Sequence, residues 1–229
     1  MTEHTFFLQR EIHGDPNVGL YGFATDKYAI VGIHNEKLLK DLKELLLVPV
    51  FSLRLLKLDL IRIFITGNAK HIIAPGFLPD DELDELKSIA KKAGVKLAVI
   101  NTEHALGNLV LMNDHGALIS PLIKKHKEEL QNVLGIPTEV GQISLLNIVG
   151  SLGFATSKGC IVHPAALNNE AELIEKLLKA KVDTGSVSFG SPYPGAGLIG
   201  NANGFLASKN TAGPELERIA ETLGFVDVN

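Results

Sequence analysis

Short apolar runs alternate with turn residues along this chain, and a longer stretch with helical periodicity follows each pair of runs. In the central stretch, residues 109–112 and 117–119 are apolar, and 113–116 between them has the composition of a tight turn in which Gly116 supplies positive φ. Ser120 and Pro121 then provide a helix N-cap and a proline at the first helical position. The pattern predicts two strands joined by a tight turn and followed by a helix.

The same pattern recurs along the chain. Glycines nine residues apart mark the first strand and its turn at 107 and 116, at 150 and 159, and at 195 and 204. In the first copy Tyr28 follows Gly19 at this spacing, and in the second copy both glycine places are lost, to Arg62 and His71. The anchors at 28, 71, 116, 159 and 204 are 43, 45, 43 and 45 residues apart. Near-even periods of this size indicate a fivefold repeat or propeller architecture.

Five units account for the whole chain as one domain. Their approximate bounds are 17–58, 59–104, 105–147, 148–192 and 193–229. A sheet fragment with one amphipathic helix cannot bury its apolar face alone. Five such fragments around a pseudo-fivefold axis can, so we predict an α/β propeller with the helices outside and the strand ends facing the axis.

Each unit is predicted to run strand, strand, helix, strand. In unit one the apolar pattern predicts strands at 18–25 and 28–33, and in unit two at 60–65 and 71–74. Residues 1–16 are polar and irregular, with one candidate short strand at 6–8. The helices begin with acidic residues and end at glycines such as Gly94 and Gly135, as the helix dipole and C-cap geometry favour.

Composition narrows the class of protein. With 45% apolar and 21% charged residues the chain is typical of a soluble globular protein, and its net charge of −4 argues against broad nucleic-acid binding, although a local basic patch stays open. Cys160 is the only cysteine, so no internal disulfide can form and a cytoplasmic location is expected. The N-terminus lacks the apolar region of a signal peptide. Four charged residues interrupt the most apolar window, 45–65, which excludes a membrane helix there.

No catalytic, cofactor or metal constellation stands out. Residues 195–200 match G-x-G-x-x-G, but strand-like residues follow where a dinucleotide site needs a helix. Cys160 and His163 would point to opposite faces of a strand, which favours a buried role for the cysteine. The eight histidines show no metal-ligand spacing, and His163 before Pro164 suits a helix start. Carboxylates at helix starts are explained by the dipole and by solvation.

Asn108 is the one polar residue that attracts a functional hypothesis. It follows a repeat glycine at the predicted head of a strand, where the other copies carry less conspicuous residues. A turn-capping role and an exposed hydrogen-bonding role both fit this position.

Several stretches together resemble the translation initiation factor 6 family, in its archaeal branch. They are Ala105-Leu106-Gly107-Asn108, residues 113–121, Val149-Gly150-Ser151, His163-Pro164, Asn201-Ala202-Asn203-Gly204 and residues 211–216. The resemblance covers about residues 17 to 225 and is strongest from 105 onward. It implies a five-unit pentein propeller, in agreement with the repeat.

The resemblance also implies a function. Members of the family bind the joining face of the large ribosomal subunit through a ribosomal protein beside the sarcin–ricin loop, with nearby rRNA left open as a further contact. They prevent premature joining of the small subunit. The implied protein is cytoplasmic, non-enzymatic, without a cofactor, and monomeric off the ribosome. The implied ribosome-binding residues are Asn108, Gly107, Gly150 and Ser151.

Two alternatives belong to other classes of protein. Pentein-fold guanidine-modifying hydrolases or transferases share the propeller, but they resemble one another in a catalytic cysteine near the C-terminus, and here no cysteine follows Cys160. An RNA-binding module is disfavoured by the acidic balance. Unit two departs from the family pattern, because residues 56–62 replace its usual Ala-Gly-Ser-x-x-Val-Gly run. The contacts of that unit are therefore expected to differ.

Overall fold

The computed structural model describes residues 5–226, in which fifteen short strands form five separate three-stranded sheets. The sheets, each written as first, second and third strand, are Gly22–Ala24, Ala29–Val31 and Val50–Ser52; Thr66–Gly67, His71–Pro75 and Lys96–Ile100; Val110–Met112, Ala117–Ile119 and Thr138–Val140; Gly153–Ala155, Gly159–Val162 and Lys181–Thr184; and Leu198–Asn201, Gly204–Ser208 and Phe7–Arg10. In every sheet the first and second strands are antiparallel and the second and third are parallel. This is the predicted pentein-type α/β propeller.

One outer helix per unit follows the second strand, and in units one to four it makes the crossover to the parallel third strand. These helices are Glu36–Leu46, Asp80–Ala93, Lys127–Leu134 after a 3-10 turn at Pro121–His126, Asn168–Leu178 and Gly213–Thr222. Their ends follow the sequence signals. The Ser120 hydroxyl accepts the N–H of Leu122, and Gly94 and Gly135 end their helices in the left-handed conformation. No helix of residues 5–226 is both long and apolar enough to cross a bilayer.

The N-terminal strand completes the last sheet. Phe7–Arg10 pairs in parallel with Gly204–Ser208, with Phe7 beside Phe205 and Arg10 beside Ser208. The candidate strand at 6–8 is thus real, but it serves the fifth unit. Within the described residues that unit takes its third strand from the opposite end of the chain, so strand, strand, helix, strand in chain order is wrong for it.

Five short helical turns surround the axis, and two of them replace the starts of predicted strands. These axial turns are Val18–Tyr21, Ile61–Phe64, Leu106–Asn108, Val149–Leu152 and Pro194–Gly197, and neighbouring turns pack on one another. The strands predicted at 18–25 and 60–65 are therefore wrong at their starts, and strand begins only at Gly22 and Thr66. Four mostly apolar residues fit one helical turn as well as a strand, and packing around the axis decides between them.

The repeat glycines allow the axial turns to touch. A Cβ on Gly107 would lie 1.6 Å from the carbonyl oxygen of Arg62, and one on Gly150 would lie 2.1 Å from that of Gly107. Gly195 stands in the same relation to Gly150, at 2.1 Å, and Gly19 to Gly195, at 2.6 Å. No larger residue fits at such distances, so backbone contact around the axis explains the repeat.

The hairpin turns between first and second strands close the other end of the axis. At each turn a side-chain oxygen accepts backbone N–H groups two or three residues on; the acceptors are Thr25, Asn68, Asn113, Thr156 and Asn201. The Asn113 amide also donates to the carbonyls of Thr156 and Leu178 in the next unit. Gly116 does not adopt the expected positive φ; its missing Cβ makes room for the Leu177 carbonyl, 2.2 Å from where it would lie.

Candidate functional site

All five outer helices begin at one end of the propeller. Four of these helices join two parallel strands, so their N-termini lie at the end where the second strand stops and where the third strand leads to the next axial turn. The fifth helix likewise starts soon after its second strand, Gly204–Ser208. We call this end the loop face. It carries the axial turns, and with them the predicted residues Gly107, Asn108, Gly150 and Ser151.

The structure brings these four residues together across the boundary of units three and four. Ser151 Oγ donates to Asn108 Oδ1 at 3.0 Å, and a Cβ on Gly150 would lie 2.9 Å from the carbonyl carbon of Asn108. Asn108 belongs to an axial turn and does not head a strand. Its side chain is half-buried and makes no cap within its own turn, so the turn-cap hypothesis has no support in the hydrogen bonds.

Arg62 lies at the fifth glycine place of the same ring. Its Nη2 donates a long hydrogen bond, 3.4 Å, to the carbonyl of Gly150, so the side chain crosses from unit two to unit four. Its Nε is buried without a hydrogen-bond partner. Burial lowers the pKa of Arg62 to about 10, which leaves the guanidinium charged at neutral pH. The sequence showed only that a glycine is lost here, and the position of the charge is a structural finding.

Four tight loops project from the loop face just before the axial turns. Each is closed by a small bridge, Ile12 to Asp15, Leu55 to Leu58, Ile143 to Leu146 and Val187 to Ser191. The central residues of each loop have positive φ, even where they are bulky, as at Leu56, Leu145 and Phe189. Phe189 is 85% exposed and Leu145 is 69% exposed. Bulky residues in this strained conformation mark sites where exposure is maintained against a local cost.

Glutamates at the third position of three outer helices hold these loops. Glu82 accepts the N–H of Leu56 at 2.7 Å, and Glu170 accepts that of Ser144 at 2.7 Å. Glu215 accepts the N–H groups of Phe189 at 3.0 Å and Gly190 at 2.8 Å. From the sequence alone, we explained these carboxylates by the helix dipole and by solvation, and missed their hydrogen bonds to the loops. Their common place in the helix was the available signal, but the loops that they bind are distant in sequence.

At Glu215, hydrogen bonds lower the carboxyl pKa by more than burial raises it. Desolvation raises the pKa of its carboxyl group, while hydrogen bonds from the Ser186 hydroxyl and from the N–H groups of Ala212, Gly190 and Phe189 lower it, and the net pKa is below the ordinary value. The charged form is therefore the one that holds the loop.

A cleft of about 550 Å³ opens beside the N-terminal strand and the unit-one helix. Asp59 lies in it, accepting from Arg54 Nε at 2.8 Å and facing His34 Nε2 at 3.4 Å and His13 Nε2 at 3.6 Å. Desolvation raises the pKa of Asp59, but the Arg54 hydrogen bond and the charges of Arg54, His34 and His13 lower it overall. Within residues 5–226 no cluster of His, Cys, Asp or Glu has the geometry of a metal site.

Cys160 lies in the core. It is fully buried on Gly159–Val162, and burial raises its thiol pKa, so a reactive thiolate is disfavoured. His163 Nδ1 accepts the N–H of Ala165, as suits the start of the segment leading into the next helix. The G-x-G-x-x-G stretch runs through an axial turn, Pro194–Gly197, into the strand Leu198–Asn201. Gly195 allows contact with the backbone of the neighbouring turn, and Gly197 makes room for the Val187 side chain.

Five three-stranded sheets with outer helices around one axis define the pentein class of propeller. Among solved structures, the chain is similar to a DDAH mutant of Pseudomonas aeruginosa complexed with citrulline, at 14% identity and a TM-score of 0.51, over 73% of this chain and 67% of that one. At this identity the similarity shows the fold alone.

Sequence comparison places the chain more narrowly. The eIF-6 family model matches residues 7–222. The chain is 36% identical over 222 residues to the Translation initiation factor 6 of Pyrococcus abyssi, covering 94% of this chain and 97% of that one. It is 31% identical over 227 residues to that of Methanocaldococcus jannaschii, covering 97% and 100%. The chain belongs to the translation initiation factor 6 family and has a translation initiation factor role.

Proposed function

We propose that the protein binds the joining face of the large ribosomal subunit through its loop face and sterically prevents premature association with the small subunit. The observation that carries the proposal is the group formed by Gly107, Asn108, Gly150 and Ser151 at the centre of that face. The Ser151 hydroxyl donates to the side-chain oxygen Oδ1 of Asn108, and the side-chain nitrogen Nδ2 has no hydrogen-bond partner among the described residues. Asn108 can therefore donate to a backbone carbonyl of a ribosomal protein beside the sarcin–ricin loop.

The surroundings of this group suit a protein partner. Leu56, Leu145 and Phe189 present apolar side chains on loops that Glu82, Glu170 and Glu215 hold in place. Stable interfaces of standard size bury roughly 1,200–2,000 Å², with an apolar centre and few charges. A rigid face loses little entropy on binding, as an occluding factor requires.

The proposed role is binding without catalysis, by a monomer acting in the cytoplasm. Buried Cys160 does not support the nucleophile that a guanidine-modifying pentein enzyme would need. The relatives at 31% to 36% identity carry the name of a translation factor.

Asn108→Ala tests the proposal. Leaving one hydrogen-bond partner unsatisfied costs about 1–3 kcal/mol, which predicts binding to purified large subunits weakened about 5- to 150-fold. Co-sedimentation measures binding, and light scattering of mixed subunits measures the block on their joining, which should be relieved. The melting temperature should stay nearly unchanged.

Two matched controls accompany this variant. Asn132→Ala changes an exposed asparagine on an outer helix, and Cys160→Ser changes a core residue outside the loop face. Neither should alter large-subunit binding. Normal binding by Asn108→Ala together with a loss of several degrees in melting temperature would make Asn108 a structural residue and refute the site assignment.

A further inference from the structure

We propose that Arg62 is the receptor for a carboxylate of the docking partner, an Asp or Glu side chain that inserts at the centre of the loop face. The inference rests on the proposed function for the partner, but the receptor itself is a property of this chain. It follows from the place of Arg62, from its lack of a counter-ion and from the neighbouring donors.

Arg62 is held where a partner can reach it. Its backbone is fixed in the axial ring, because its carbonyl oxygen would lie 1.6 Å from a Cβ on Gly107. The residue is partly exposed, although its Nε is buried. The small cavity at the hairpin end of the axis is lined by turn residues such as Asp26 and Asp114 and not by Arg62. Arg62 belongs to an axial turn, so in our proposal its exposed part lies at the loop end, where the axial turns lie.

Arg62 also lacks a counter-ion. The chain has four arginines, and the other three are paired, Arg10 with Asp41, Arg54 with Asp59 and Arg218 with Asp183. Within residues 5–226, Arg62 has one hydrogen-bond partner, a carbonyl 3.4 Å from Nη2, and its Nε has none. A desolvated cation without a partner is costly, and a carboxylate that accepts from the fork of the guanidinium would satisfy it.

A second donor lies beside the guanidinium. Arg62 reaches the carbonyl of Gly150, and the next residue, Ser151, bonds to Asn108 Oδ1. The Asn108 amide Nδ2, which has no hydrogen-bond partner among the described residues, is therefore available as a donor near the cation. The Arg62 guanidinium and the Asn108 side-chain amide both donate hydrogen bonds. An ionised carboxylate only accepts them, so it matches this pair of donors.

The rim favours a protein carboxylate over an RNA phosphate. The loop tips around the axis expose Leu56, Leu145 and Phe189, and the whole chain has a net charge of −4. Binding to a phosphate backbone is carried by several cations spread over a surface. A central cation within a rim whose loop tips are mostly apolar, with Lys57 beside Leu56, fits one acidic side chain on an apolar protein surface.

The first experiment needs no ribosome. Protein labelled with ¹⁵N at the arginine side chains gives one Nε–Hε signal per arginine, and the signal lost in Arg62→Lys identifies Arg62. Titration with acetate against chloride at constant ionic strength should shift the Arg62 signal saturably, while the signals of Arg10 and Arg218 stay in place. An Arg62 signal that does not respond to acetate overturns the proposal. A tighter response to inorganic phosphate than to acetate overturns the carboxylate assignment in favour of RNA.

The second experiment measures co-sedimentation with large subunits. Arg62→Met keeps volume without charge, and Arg62→Gly restores the fifth repeat glycine, so the ring is expected to fold in both. Each should weaken binding about 10-fold or more, and Arg62→Lys less, with Arg218→Met as an unaffected control. Unchanged binding by both uncharged variants overturns the role of Arg62 in docking. If wild-type protein itself does not bind large subunits, the proposed function fails, and the acetate titration still decides whether the receptor exists.

Discussion

At the scale of single residues, glycine serves this protein mainly through what a Cβ would touch. Gly107 and Gly150 keep successive axial turns in backbone contact, whereas Gly116 makes room for the end of a neighbouring outer helix. Only Gly14, Gly94, Gly135, Gly190 and Gly224 have positive φ among the glycines described. The glycines therefore repeat along the sequence chiefly because contacts between neighbouring units leave no room for a Cβ at these positions.

Gly150→Ala should destabilise the protein by about 1–3 kcal/mol, because its Cβ would lie 2.1 Å from the carbonyl of Gly107 and backbone must move. Gly213→Ala is the matched control. It starts an outer helix with open space around its missing Cβ, and alanine there should stabilise by about 0.4–1 kcal/mol. Urea unfolding of both variants measures the difference. Equal effects would show that the axial ring is looser than described.

The lowered pKa of Glu215 predicts a pH dependence of stability. A carboxyl group with a folded-state pKa below its unfolded value stabilises the fold above the unfolded pKa of about 4.3, and this contribution is lost as pH falls through the folded pKa. Glu215→Gln should therefore show a smaller loss of unfolding free energy between neutral and acid pH than the wild type. Denaturant titrations across this window measure it, and parallel pH profiles would contradict the assigned hydrogen bonds.

At the scale of elements, each outer helix packs its apolar face against strands of its own and the neighbouring unit. In the unit-four helix Asn168–Leu178, the residues Ile174, Leu177 and Leu178 are buried in one cluster with Leu111 and Leu118 of unit three. The core is thus five clusters that join adjacent units. A helix removed from its neighbours would lose most of the contacts that stabilise it.

Leu177→Ala should destabilise by about 2–5 kcal/mol, through lost burial and the cavity left behind. Because the cluster spans two units, the unfolding transition should remain cooperative. Calorimetry tests both statements, with Leu173→Ala on the exposed side of the same helix as a milder control. A variant with wild-type stability would mean that this helix does not dock as described.

At the scale of the whole molecule, the N-terminal strand closes the ring. Phe7–Arg10 covers the edge of Gly204–Ser208, and the rings of Phe6 and Phe225 stack at 5.3 Å beside it. Closure leaves the last sheet without the open second-strand edge that would otherwise invite association.

Deleting residues 1–10 should lower the melting temperature and promote self-association. The deletion would uncover the edge of Gly204–Ser208 and the apolar cluster around Phe205, against which Phe6 and Phe7 pack. A peptide of residues 5–14 added in excess should restore both properties by occupying the same edge. Scanning calorimetry and analytical ultracentrifugation measure the two effects. A truncated protein that melts like the full chain and stays monomeric would contradict closure by this strand.

Local signals in the sequence were sufficient for the repeat, the outer helices and most turns. The apolar spacing of Leu42 and Leu46, the cap at Ser120 and the stop at Gly94 act within one or two helical turns, so they are visible without the fold. The same holds for Asn113, whose side chain organises its own hairpin. The resemblance of residues 105–121 pointed to the family that the comparisons confirm.

What only the tertiary structure decided depends on partners distant in sequence. The helical form of Val18–Tyr21 and Ile61–Phe64 follows from packing around the axis, and closure by Phe7–Arg10 joins the two ends of the chain. The charge of Arg62 at the centre of the loop face is equally non-local, since its neighbours come from units three and four. The periodicity of apolar residues reveals local preferences for helix or strand. These features instead depend on contacts across the fivefold axis between residues that are distant in sequence, so no local pattern encodes them.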